Sequence, residues 1–103
     1  NGVPELLVLR LLRDREMYGY ELVEAIRAAS NDNLSFAEGV IYPVLHALER
    51  DGALSTRRQT VNGRSRVYYS VTPTGKDRFD ALLAHWQRLQ GTIATIVETP
   101  RHV

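Results

Sequence analysis

The residues able to do chemistry in this chain are basic and aromatic, and they crowd into one window. Between Gly52 and Lys76 lie five cations (Arg57, Arg58, Arg64, Arg66 and Lys76) and no acid, although the formal net charge of the 103-residue chain is only +1. A local basic stripe is the electrostatic footprint of a phosphate-binding surface. The plain alternative is a hairpin kept soluble by its arginines. Other chemistries find no support. Cys is absent, which removes disulfides, thiolate nucleophiles and cysteine metal sites. His46, His85 and His102 are scattered, and no His/Asp/Glu spacing suits a metal. No Ser/His/Asp arrangement can be inferred and no glycine-rich phosphate loop occurs. The expectation is therefore no catalytic residue, no metal, no cofactor and no enzyme.

The basic window must be positioned by something, and its pattern says what. Val67, Tyr69 and Val71 alternate with Tyr68, Ser70 and Thr72, a period of two. Two strands over 54–61 and 64–72 fit, joined by Asn62-Gly63, the dipeptide whose residues tolerate the positive φ of a type I′ turn. A two-residue loop sets Val61 against Arg64, Gln59 against Arg66 and Arg57 against Tyr68. Tyr68 and Tyr69 then point to opposite faces, so at most one of them is core.

Helical periods flank the hairpin. Pro4 suits the first position of a helix, and Leu6, Leu7, Val8, Leu9, Leu11 and Leu12 make that helix largely buried. Tyr18-Gly19-Tyr20 opens a second helix with Leu22, Val23, Ile26 and Ala29 inward. Ser30-Asn31-Asp32-Asn33 stops it. Thr72 caps a last helix with Pro73 at its first position, running to about residue 97. On it Phe79, Leu82, Trp86, Leu89, Ile93 and Ile96 are spaced 3, 4, 3, 4, 3, a heptad seam suited to a second copy of the chain. At 44% apolar residues the chain is one domain, or one domain plus an appendage, with a modest core that an oligomer would help. No apolar run approaches the ~18 residues of a membrane span. No secretory leader is read in this chain, which does not begin with Met.

The third helix, "EGVIYPVLHALERDG", carries a proline inside it. Pro43 deletes a hydrogen bond and presses its ring on the carbonyl four residues back. That residue is Gly39, whose missing Cβ would give the backbone room. A first turn loosened in this way leaves N–H groups free at a helix N-terminus, which suits phosphate. A helix beginning near Glu38 puts Pro43 in its second turn; the alternative, a capping box at Ser35/Glu38, would start it earlier. Gly52 would close it.

Three helices, a hairpin and a long helix is the order of a winged helix-turn-helix with a C-terminal extension. The expected fold is mainly α with a small β-hairpin: a DNA-binding unit over 1–72 and a dimerisation helix and tail over 73–103. In such folds the third helix enters the major groove and the hairpin, or wing, lies on the flanking backbone.

The stretches "MYGYELVEAI", "GVIYPVLHALERDGAL" and "NGRSRVYYSVTPTG" together resemble the PadR family of bacterial transcriptional regulators. That family shows Gly-Tyr-Glu-Leu in helix 2, Leu-Tyr-Pro-x-Leu-x-x-Leu-Glu-x-x-Gly in helix 3 and Arg-x-x-Tyr-Tyr-x-Leu/Val-Thr-x-x-Gly along the wing. The chain's length is similar to the small subfamily, whose single C-terminal helix makes the homodimer. The resemblance implies a bacterial, cytoplasmic and nucleoid-associated homodimer, a repressor that releases double-stranded DNA when a small molecule binds. Val40, Tyr42 and His46 would face the groove, and Arg64 and Arg66 would meet the backbone, with Arg57 as a further candidate. Ala47 stands where the family often has Arg or Lys, and Val40 where it often has Thr. Both reduce polar base contact and shift weight to thymine methyl contact. Trp86 is the candidate ligand residue: across a two-fold axis two indoles would form a slot for a planar aromatic effector. Its plain reading is interface packing. The first rival function is a winged-helix protein-interaction module without DNA, and the second an enzyme or small-molecule carrier built on the cavity of the last helix.

Overall fold

A computed structural model describes residues 2–100. Pro4 enters the first helix as its second residue rather than its first, because Gly2 caps it and α1 runs Val3–Asp14. Then follow β1 (Met17–Tyr18), α2 (Gly19–Ala29), α3 (Glu38–Arg50), β2 (Leu54–Val61), β3 (Arg64–Val71) and α4 (Pro73–Glu98). This is the winged helix with a long C-terminal helix that the element order predicts.

One strand escaped the sequence reading. Two residues, Met17 and Tyr18, pair antiparallel with Tyr69 and Tyr68, which turns the expected hairpin into a three-stranded sheet in the order β1-β3-β2. No period is visible in two residues, so only the tertiary pairing reveals them. The hairpin itself has the anticipated register, with Val61 opposite Arg64, Gln59 opposite Arg66 and Arg57 opposite Tyr68. Asn62 and Gly63 both take positive φ, 51° and 77°, the backbone of a type I′ turn.

The core is one cluster. Val8, Leu9 and Leu12 of α1 meet Leu22 and Ile26 of α2 and Ile41, Leu45 and Leu48 of α3. Tyr69 closes it from the sheet, while Tyr68 stays half-exposed on the other face. The start of α4 belongs to the same cluster through Phe79, with Leu82 and Leu83 packed against it. Gly75 makes that approach possible, since a Cβ there would penetrate the Ala53 carbonyl and crowd Val71. Thr72 caps α4 as expected, its Oγ1 accepting from the Gly75 N–H at 3.1 Å and donating to the Gly52 carbonyl at 2.6 Å. Arg78 of α4 donates to Glu5 of α1 and, at 3.1 Å, to Asp51 at the end of α3.

One burial expectation needs correction. Ala29 is exposed, not buried. It is the last residue of α2 and lines an open groove beside Leu11, Ile26 and Leu34, which its single methyl does not fill. Ala25, one turn earlier, packs on the core instead. The Ser35/Glu38 capping box is not used: Ala37 is the N-cap of α3, without a side-chain cap, and its carbonyl takes the N–H groups of Val40 and Ile41 at 2.9 and 3.2 Å.

Pro43 lies inside α3 as anticipated, but the account of Gly39 changes. A Cβ on Gly39 would meet nothing within 4 Å, so space does not demand glycine there. The proline is tolerated because Gly39 and Pro43 are both exposed, and the carbonyl that Pro43 cannot serve is open to water. At the other end the helix closes with paired bonds, Ala53 N–H to Leu48 O at 2.9 Å and Gly52 N–H to Glu49 O at 3.0 Å. With Gly52 at φ 80°, this is the Schellman ending that the glycine suggested.

Candidate nucleic-acid interface

Of the basic window, Arg66 meets the front of α3 across one cleft. Alternation along β3 puts Arg64, Arg66, Tyr68 and Ser70 on its outward face, and the register adds Arg57 beside Tyr68. Arg58 sits opposite Val67 and so belongs to the other face of the ribbon. Between wing and recognition helix lies a cleft of about 290 Å³ lined by Tyr18, Gly19, Tyr42, His46 and Arg66 among others.

The three groove candidates on α3 differ in character. Val40 is 42% exposed, an apolar group displayed to solvent on the helix front, and His46 is exposed one and a half turns later. Tyr42 is half-buried, its ring 6.1 Å from that of His46. Burial, with the nearby Glu38 carboxylate, pushes its hydroxyl above the usual tyrosine range. Space for that ring comes from Gly19 of α2: a Cβ there would lie 2.5–2.6 Å from the Tyr42 ring and hydroxyl.

The wing cations fall into distinct states. Arg57 is 48% exposed, yet each of its guanidinium nitrogens has a partner. Its Nε donates to both Glu16 oxygens at 2.9 Å, its Nη2 also reaches Glu16, its Nη1 donates to Gln59 at 2.7 Å, and its plane lies 4.7 Å from the Tyr68 ring centre. The Arg57 hydrogen bond holds the Glu16 carboxyl below the usual carboxylate range. Arg66 instead stacks on Tyr18 at 4.5 Å, and Tyr18 meets Tyr68 edge-on at 5.6 Å. Among the described residues Arg58, Arg64 and Arg66 form no ion pair.

Sequence reading missed Glu16, Tyr18 and Gly19 as parts of this surface. Glu16 is 41 positions from Arg57, and only β1 pairing brings them together. Tyr20, also missed, is 51% exposed at the start of α2, and Glu24 beside it raises its hydroxyl pKa. A solvent-facing tyrosine beside a glycine was the one available signal.

The remaining candidates lie on α4. Phe79 is 7% exposed within the protomer's own core, whereas Leu89, Ile93 and Ile96 are 49%, 51% and 72% exposed. Leu82 is half-buried between them and the core. Trp86 lines a groove of about 450 Å³ with Val3, Leu6, Leu7, Phe79 and Leu83. Among the described residues, no three His, Asp or Glu side chains could hold a metal ion, and no helix is long and apolar enough to cross a membrane. His102 lies outside the described residues.

Comparison with known proteins gives a consistent picture. Residues 8–81 match the family model described as Transcriptional regulator PadR-like family. Transcriptional regulator Rv3488 of Mycobacterium tuberculosis is 35% identical over 71 residues, covering 69% of this chain and 64% of that protein. The crystal structure of a PadR family transcriptional regulator from Eggerthella lenta superposes with a TM-score of 0.84 at 27% identity, over 96% of this chain and 85% of that one. Bacillus subtilis PadR, solved in complex with operator DNA, superposes with a TM-score of 0.72 at 26% identity, over 79% of this chain and 46% of that one.

Proposed function

Because this chain belongs to the PadR-like family of transcriptional regulators, we propose that it is a homodimeric, ligand-responsive repressor of a two-fold DNA operator. α3 enters the major groove with Val40, Tyr42 and His46 foremost, and the wing lies on the flanking phosphates. The observation that carries this reading is the single cleft flanked by the open front of α3 on one side and by Arg66 on the other. Phosphate contacts by wing cations supply affinity without sequence information, and the α3 front supplies specificity. A displayed Val40 suits the thymine methyl, the one apolar group in the major groove. The operator complex of the B. subtilis neighbour supports the same use of this fold.

Dimerisation follows from α4. Its first half packs on the protomer's core through Phe79, Leu82 and Leu83, and its second half extends an apolar stripe (Leu89, Ile93, Ile96) that the protomer leaves exposed. The same stripe on a second copy covers it, placing two recognition helices on successive turns of one duplex face. A planar aromatic effector held at Trp86 would bias how the two α4 helices pack. It would thereby change the spacing of the recognition helices.

Selection of bound duplexes from a random pool tests this directly. A two-fold consensus with half-sites about one helical turn apart is expected. Absence of any enriched duplex, with binding that salt leaves unchanged, would instead favour a protein-interaction module. For the effector, planar aromatics are titrated while Trp86 fluorescence is followed. No quenching across a broad set, with the Trp86→Ala protein still dimeric and inducible, removes the slot.

A further inference from the structure

We propose that Glu16 decides which wing cations reach a duplex: it retains Arg57 within the protomer as a positioning residue, and leaves Arg66 and Arg64 to take the phosphates. The inference rests on the DNA-binding reading above and divides labour within that surface.

The geometry is that of a bracket. Glu16 accepts from Arg57 Nε with both oxygens at 2.9 Å and from Nη2, while Gln59 takes Nη1 at 2.7 Å. All three guanidinium nitrogens therefore have partners inside the chain, and one face of the plane lies on Tyr68. A phosphate seeking Arg57 would have to displace a carboxylate or settle beside one, and like charges repel at that distance. Arg66 differs in the feature that matters. Tyr18 supports its plane, but no carboxylate neutralises it among the described residues, so its N–H edge and its charge remain available. Stacking on a ring leaves the planar fork of donors open for a phosphate.

The bracket reaches Arg66 through contact. Arg57 lies on Tyr68, Tyr68 meets the edge of Tyr18, and Tyr18 carries Arg66. β1 joins this chain of contacts to the backbone, since Tyr18 pairs with Tyr68 across the sheet and Glu16 immediately precedes the strand. An isolated exposed ion pair contributes little to stability. Here the pair orients two rings and a second arginine.

The test measures binding of the full chain to a mixed-sequence duplex at several salt concentrations. Each phosphate contact contributes about one to the slope of log affinity against log salt. Arg66→Ala and Arg64→Ala are each expected to lower that slope by about one. Arg57→Ala should leave it unchanged while weakening binding at every salt concentration. Glu16→Gln should raise the slope by about one and tighten binding in dilute salt, because Arg57 is released. The exchanged pair Glu16→Arg with Arg57→Glu restores the bracket in reverse, so a slope equal to that of the starting protein is expected. It also guards against single variants that fold poorly. A slope loss in Arg57→Ala matching that in Arg66→Ala, with no change in Glu16→Gln, overturns the division of labour alone. A starting protein that binds no duplex in a salt-dependent way overturns the DNA-binding reading and this inference with it.

Discussion

The ring of Tyr42 on the recognition helix occupies the volume that a side chain at Gly19 would need, its nearest atoms 2.5–2.6 Å from that Cβ position. The N-terminus of α2 and the front of α3 are thus fitted to each other through one ring and one missing methyl. Gly19→Ala should force the ring outward and destabilise the protein by about 1–3 kcal/mol, the usual penalty of overpacking. Adding Tyr42→Ala should recover part of the loss. A double-mutant cycle in urea with no coupling between the two changes would show that they do not share this space.

Gly75 and Gly91, both in α4, should respond in opposite directions to alanine. At Gly75 the new methyl meets backbone, the Ala53 carbonyl, which cannot move without the hairpin base. At Gly91 it meets nothing within 4 Å. Gly75→Ala is expected to lower Tm, and Gly91→Ala to raise it through a gain of up to ~1 kcal/mol in helix propensity. Thermal melts of both proteins check the pair, and equal responses would contradict the packing described.

Pro43→Ala returns an N–H to the α3 ladder opposite the Gly39 carbonyl. A stabilisation on the order of 1–2 kcal/mol is expected, below the full interior penalty because proline also restricts the unfolded chain. If that substitution destabilises, the proline supports the fold rather than straining it.

Ile93 lies on the exposed half of α4, and Ile93→Glu should leave the protomer folded while separating dimers into single chains. Sedimentation velocity at micromolar concentration with circular dichroism reads both. A starting protein that already sediments as one chain contradicts the proposed assembly.

The Glu16 carboxyl is held below its ordinary value by the Arg57 hydrogen bond. The sign follows from linkage. A depressed folded pKa means that the bracket's contribution is complete above the ordinary value and is lost as pH falls through the folded one. Side-chain NMR should show Glu16 titrating late on acidification, and returning to the ordinary range in Arg57→Ala.

Much of this was legible beforehand because it is local. Asn62-Gly63 sets the hairpin register, since few residue pairs accept two positive φ angles in succession. Thr72-Pro73 starts α4, and Gly52 ends α3. Ile41, Leu45 and Leu48 recur at helical spacing and are all buried, while Pro43 and His46 between them are exposed. Ala29 misled for a physical reason: period marks the inward face of a helix but not how far along it the neighbouring helix reaches. The same limit applies to α4, where one unbroken heptad stripe runs from buried Phe79 to exposed Ile96.

Sequence alone therefore determined the elements, their order, the turn that shapes the wing and the family resemblance, because each depends on residues within a few positions of one another. The tertiary structure decided which cations are occupied and which are free. Arg57 and Arg66 are the same residue type in the same basic window, and they differ only because Glu16 and Tyr18, about 40 to 50 positions earlier, are folded against one and beneath the other. Electrostatic state depends on distance in space, and chain folding sets that distance.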